Sequence, residues 1–250
     1  MKKQHLTFTR TRHDFVDSAV QMILSAIRCA EHGKVLISLS GGKTPFPVYE
    51  KLAELLKKES LTKQLFFIQT DERNVENGSP RLNQLAIKNS LFSAKGLSAD
   101  LFYPIRTRSH DYEKSSEMCC KGLPQDLLPP RPIDLLILGM GADGHTASLF
   151  PETDWRTRKS VSGYALFKPA SQPESRISLT LDRILAAKKI IFLISGKDKA
   201  EALKKVLVEG SAEVPAGMVA SKKECFWIFS PEVLESCPDL IKIEAHDSNN

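Results

Sequence analysis

Apolar side chains between residues 14 and 31 fall at Phe15, Ala19, Met22, Ile23, Ala26, Ile27 and Ala30, the spacing of one helical face, and the run closes at Gly33. The pattern then changes to the unbroken VLISLS of residues 35–40, which predicts a buried strand. Pro45 opens a second helical stretch to about Lys58, and LFFIQT, residues 65–70, follows as a strand. Helical spacing returns over 83–92 and 109–121, and IDLLILG, bounded by Pro132 and Gly139, predicts another buried strand. Further strands are predicted over 161–167, 176–180, 189–195 and 225–229, with a helix over 198–208 ahead of Gly210.

This alternation predicts an α/β fold with a mainly parallel sheet covered by helices on both faces. The proline-rich LPQDLLPPRP of residues 123–132 is a rigid connection, but apolar periodicity continues on both sides, so residues 1–250 are expected to form one domain. In such sheets ligands sit beyond the carboxyl ends of the strands. Three polar strand exits therefore become the candidate sites.

At the first, SLSGGKTPFPVYEKL, a strand runs into Ser40, Gly41 and Gly42, with Thr44 as a helix cap and Pro45 at the first helical position. Glycines let the backbone approach an anion, and the free amides of a helix start point toward it. A Walker A loop is excluded, because it requires glycine where Ile37 stands. An ordinary tight turn is the competing account.

At the second exit, Asp71, Glu72 and Arg73 follow an apolar strand at once, either capping the sheet rim or lining a cleft. The third, GMGADGHTASLFP over 139–151, begins with a complete G-x-G-x-x-G. A dinucleotide loop needs a long helix after its glycines and an acidic residue about twenty positions on. Here Pro151 stops any helix early, and YALF at 164–167 offers no carboxylate. What remains is a glycine turn presenting Asp143 and His145, followed by Thr146 and Ser148. Imidazole titrates nearest neutral pH, so this pair is a candidate base and its orienting partner. Arg176 and Lys199, each near an element boundary, add two cations.

Composition narrows the classes. With 42% apolar residues in 250 the chain can bury a sizeable core, and runs such as IIFLI are far short of a membrane span. No apolar stretch follows the lysines of MKKQHLTFTRTRHDF, so a soluble, non-exported, cytoplasmic protein is expected. Cys29, Cys119, Cys120, Cys225 and Cys237 form an odd set without metal-ligand spacing, so no metal site is expected and the thiols are expected to be buried and inert. The net charge of +5 is spread without a basic tail or arginine stripe, which argues against nucleic acid and mildly favours a small anion.

Taken in order, SGGKTP, DERNV, GMGADGHTASLFP, RISLT and SGKDKA resemble the family that contains 6-phosphogluconolactonase and glucosamine-6-phosphate deaminase. The resemblance implies a modified Rossmann-like fold and cofactor-free, metal-free hydrolysis of 6-phospho-D-glucono-1,5-lactone in the oxidative pentose phosphate pathway, by a monomer or small homo-oligomer. It places Ser40, Gly41, Gly42 and Thr44 in the phosphate loop, with Lys43 where the family more often has serine. Arg176 and Lys199 match positions near the substrate phosphate, Asp71 and Arg73 the motif lining the active site, and His145 the catalytic histidine, with Asp143 as its orienting partner. Two alternatives are a deaminase-like isomerase and a non-catalytic sugar-phosphate sensor. The deaminase loop carries a glutamate assisting its histidine, and Phe150 stands at that position here.

Overall fold

Strands with apolar side chains on both faces need cover on both faces, and such strands form the centre of one wholly parallel seven-stranded sheet. The computed structural model describes residues 2–31, 33–58, 63–93, 96–107, 122–241 and 243. The chain runs β1 (Gln4–Phe8), α1 (Arg12–Arg28), β2 (Lys34–Leu39), α2 (Phe46–Lys58), β3 (Gln64–Gln69), β4 (Asp71–Arg73) and α3 (Asn83–Leu91). It continues through β5 (Phe102–Tyr103), β6 (Leu135–Leu138), β7 (Tyr164–Phe167), β8 (Arg176–Leu179), α4 (Leu181–Leu185) and β9 (Lys189–Ile194). After α5 (Ala200–Leu203) come α6 (Pro215–Lys222), β10 (Cys225–Phe229) and α7 (Pro231–Ser236).

The parallel sheet has the order β1-β10-β9-β6-β2-β3-β5. From β2 the chain builds outward to β3 and β5, then crosses back to lay β6 on the other side of β2. That reversal opens a crevice beyond the carboxyl ends of β2 and β6, the ligand position of open parallel sheets. Side chains alternate through the sheet: Leu36, Leu136 and Phe192 join one core, Val35, Ile37 and Ile191 the other. Helices α1, α2 and α3 cover the second face, and α4 to α7 the first. Sequence periodicity therefore recovers the layered frame.

The frame also departs from expectation. DER and RISL leave the parallel sheet and pair antiparallel, in a three-stranded sheet of order β4-β8-β7. The switch occurs at Thr70, whose amide still donates to Leu39 O at 2.9 Å while its carbonyl accepts from Leu179 N at 2.8 Å. Strand β1 was not expected, since its Leu6 and Phe8 alternate with polar residues over a short length. Pairing with β10 makes it a strand, and Phe8 stacks on Phe229 with centroids 5.2 Å apart. The helix expected over 198–208 is composite: a 3-10 turn at Lys197–Lys199, α5, then a π turn at Lys204–Val208. Helix α2 begins at Phe46, with Pro45 supplying the carbonyl that accepts from Tyr49 N at 2.9 Å.

The helix predicted over 109–121, with Cys119 and Cys120, lies outside the described residues. Cys225 and Cys237 are buried as expected, and burial pushes the Cys225 thiol up to about 12. Cys29, the C-cap residue of α1, is instead exposed. Among the described residues no helix is long and apolar enough to cross a membrane.

Candidate active site

The crevice at the β2/β6 reversal is an open cavity of about 360 Å³. Four strand exits wall it. Strand β2 supplies Ser40, Gly41, Gly42 and Thr44; β3, through the sheet switch, supplies Asp71 and Arg73; β6 supplies the loop with His145; and β9 supplies Ser195 and Lys199. Arg176 at the head of β8 closes the ring.

Strand alternation sorts the three charges of β4. Asp71 and Arg73 face the cavity, while Glu72 turns the other way and is fully buried. Its carboxylate accepts from Gln69 Nε2 at 2.9 Å, from the amides of Asn83 at 2.7 Å and Gln84 at 2.8 Å, and from Arg73 N at 2.8 Å. Burial pushes the Glu72 carboxyl up, against the pull of these donors. An anion at the free amides of α3 is the favoured arrangement for a helix start. Glu72 thus ties β4 to α3, whose first residue, Asn83, lines the cavity.

Asp71 has both oxygens engaged, accepting from Thr70 Oγ1 at 2.8 Å and Ser148 Oγ at 2.6 Å. That joins the β3 exit to the glycine loop. Arg73 and Arg176 are direct partners across the β4/β8 pair. Like charges placed opposite each other destabilise a sheet, and both residues line the cavity. Burial, then the charge of Arg73, lowers the Arg176 pKa below its ordinary value. The Glu174 carboxylate, 3.2 Å from Arg176 Nη1, offsets part of this cost.

The glycine loop folds tightly around its histidine. Gly141 N donates to His145 O at 2.9 Å, and Asp143 Oδ1 accepts from His145 N at 3.1 Å and lies 2.6 Å from His145 Nδ1. Burial alone would raise the Asp143 carboxyl, but the hydrogen bond and charge of His145 outweigh it and hold its pKa below the ordinary value. With Nδ1 engaged, Nε2 is the nitrogen left for a substrate. A Cβ at Gly141 would lie 2.1 Å from His145 Nδ1, so only glycine lets the pair close over this backbone. No helix follows: Thr146 bridges to Leu149, and Ala147 holds a φ of 49°, a strained conformation for a residue with a side chain. Phe150 stacks on His145, with ring centroids 4.3 Å apart.

Of the residues singled out by sequence, Ser40, Gly41, Gly42, Thr44, Asp71, Arg73, His145, Arg176 and Lys199 all line this cavity. Asp143 sits behind His145 and is exposed. Lys43 is exposed and outside the lining. Ser40 Oγ spends its proton on Ile137 O at 2.7 Å, which pins β2 to β6. Asn83 and Gln172 also line the cavity, and sequence reasoning missed both. Asn83 packs where a Cβ of Gly41 would lie, 2.3 Å from its Cγ, so the glycine makes room for the helix. Its only sequence signal is its place at a helix start; Gln172, in an irregular connection, has none. Among the described residues no group of three or more His, Cys, Asp or Glu could hold a metal ion.

Residues 10–227 match the family model described as glucosamine-6-phosphate isomerases/6-phosphogluconolactonase. Over 222 residues the chain is 32% identical to a 6-phosphogluconolactonase of Thermotoga maritima, a match covering 85% of this chain and 93% of that one. The solved 6-phosphogluconolactonase from Trypanosoma cruzi is 25% identical and superposes with a TM-score of 0.78 over 93% of this chain and 96% of that one. A monomeric glucosamine-6-phosphate deaminase superposes with a TM-score of 0.75 at 21% identity, over 93% of this chain and 99% of that one. The fold alone therefore does not separate the two activities.

Proposed function

The chain belongs to the glucosamine-6-phosphate isomerase/6-phosphogluconolactonase family, and from that premise we propose that it hydrolyses 6-phospho-D-glucono-1,5-lactone to 6-phospho-D-gluconate. The reading takes residues 1–250 as one catalytic unit acting in the cytoplasm as a monomer or small homo-oligomer, at the second step of the oxidative pentose phosphate pathway. The observation that carries it is the Asp143–His145 pair, with Nδ1 held at 2.6 Å, on the wall of a cavity that also presents Arg73 and Arg176.

A lactone is an activated ester, and its opening needs a positioned water, a base, and donors for the charge that develops on the carbonyl oxygen. Asp143 holds the Nδ1–H tautomer, so Nε2 of His145 takes a proton from water as its oxygen bonds to the lactone carbonyl carbon. Arg73 meets the developing oxyanion. When the tetrahedral intermediate collapses, the ring carbon–oxygen bond breaks and His145 returns the proton to the departing ring oxygen. The product acid then ionises and releases one proton to solvent. The phosphate lies against Gly41, Gly42 and Thr44 at the start of α2, with Arg176 and Lys199 as its cationic partners.

Phe150 counts against the deaminase reading. A phenyl ring stacked on His145 occupies the place where the deaminase loop carries a glutamate, and it neither gives nor takes a proton. The experiment is proton release on adding freshly made lactone, measured against a buffer blank because the lactone also opens unaided. His145→Ala is expected to lose on the order of 10²- to 10⁴-fold in kcat with 6-phosphogluconate binding retained. No acceleration by the intact protein, with tight product binding, would make it a sensor instead.

A further inference from the structure

Gln172 belongs to the connection between β7 and β8, lines the cavity, and is half-buried. Its Oε1 accepts from Arg176 Nη2 at 2.7 Å. A guanidinium only donates, so the carboxamide has one admissible orientation here, with oxygen toward Arg176 and the NH₂ group turned away from it. Arg176 Nη1 is held on its other side, donating to Glu174 O at 3.1 Å and Glu174 Oε2 at 3.2 Å. Glu174 also pairs with Arg81, and Asn74 N donates to Ser175 O at 3.0 Å. The connection carrying Gln172 is thereby clasped to the segment after β4, and both side chains are held before any ligand arrives.

The surroundings set the chemistry of the ligand atom. Arg73 stands opposite Arg176 across the strand pair, and Lys199 lines the same cavity. A fourth cation there would add repulsion, whereas an amide N–H adds a directed donor without charge. We propose that Gln172 is a phosphate-binding residue of this site: Oε1 is committed to Arg176 so that Nε2 donates to a phosphate oxygen of the ligand, the two side chains acting as one clamp. This rests on the lactonase reading for the identity of the substrate, while the anion chemistry rests on the geometry alone.

Gln172→Glu separates the two halves of the amide. The carboxylate keeps an acceptor for Arg176 but replaces the N–H donor by a second acceptor bearing charge. KM for the lactone is expected to rise roughly tenfold or more, with kcat within about twofold of wild type. Gln172→Ala, which removes the donor without adding charge, is expected to raise KM severalfold. Calorimetric titration with inorganic phosphate should weaken in the same order. An effect in Gln172→Glu with none in Gln172→Ala would reveal only long-range repulsion and overturn the proposal, as would a loss in kcat at constant KM. If the wild-type protein does not open the lactone, the lactonase reading fails on its own, and the phosphate titrations of the three proteins still decide whether Gln172 is a donor.

Discussion

Phe150 lies against His145 with ring centroids 4.3 Å apart and planes inclined by 28°, while Asp143 Oδ1 meets the edge of the same imidazole at 2.6 Å. One contact fixes the ring's plane and the other its rotation within that plane. An aromatic pair of this kind contributes about 0.5–1.5 kcal/mol beyond the area it buries. Phe150→Leu keeps an apolar side chain but removes the flat face. It is expected to lower kcat about two- to tenfold with KM near its wild-type value. Steady-state kinetics check this, and a change confined to KM would mean that the stack shapes the binding surface instead.

Gly141→Ala tests the same geometry from beneath. A methyl group there would lie 2.1 Å from His145 Nδ1 and 2.5 Å from Asp143 Oδ1, so the pair must open or the loop must move. Overpacking of this kind costs about 1–3 kcal/mol of stability. Loss of the base's alignment is expected to cost on the order of a hundredfold in kcat. Thermal unfolding and kinetics on the one variant read the two effects, and a variant with wild-type turnover would show that the pair need not stay closed.

Much of the frame is legible in the sequence because buried parallel strands and amphipathic helices write themselves as apolar runs and three-and-four spacing. VLISLS, IDLLILG and the face from Phe15 to Ala30 are such cases. The cavity is legible for a related reason, since ligands gather at strand exits whose polar residues stand out against those runs. What escapes is whatever depends on a partner distant in sequence. Strand β1 exists because β10 lies beside it, and DER reads as an exit although Asp71–Arg73 is already a strand of a second sheet. Lys43 looks like a site residue by adjacency to Gly41 and Gly42, yet its side chain is exposed and is not part of the lining. Gln172 carries no local signal, because its meaning comes from Arg176 four residues later.

Glu72 illustrates the same dependence and gives a stability prediction. Three of the four donors to its carboxylate are backbone amides, two of them from the start of α3. In Glu72→Gln one acceptor oxygen becomes an NH₂ group facing donors. Charge-assisted hydrogen bonds are worth about 1.5–3 kcal/mol each, so a loss of at least about that size is expected in urea unfolding. Because α3 carries Asn83 into the cavity, KM should also rise, whereas a loss of stability with wild-type kinetics would show that the site tolerates movement of α3.

Asp143 offers the pH-dependent test. Its folded-state pKa is depressed, the hydrogen bond and charge of His145 outweighing burial. A depressed carboxyl contributes stability that is fully present above its unfolded pKa of about 3.9 and disappears as pH falls through the folded value. Asparagine does not titrate, so the stability gap between wild type and Asp143→Asn should be complete once the pH exceeds about 3.9 and close in strong acid. The gap is small, because the Asp143 side chain is 44% exposed and screening holds such pairs below about 1 kcal/mol. Catalysis should lose far more. The amide accepts the same hydrogen bonds but does not neutralise the imidazolium formed when His145 takes its proton, and kcat at neutral pH is expected to fall on the order of ten- to a hundredfold. Urea unfolding across the acid range, paired with kinetics at neutral pH, reads both quantities. A gap that widens toward acid would reverse the sign of the linkage and remove Asp143 as the partner that charges against His145.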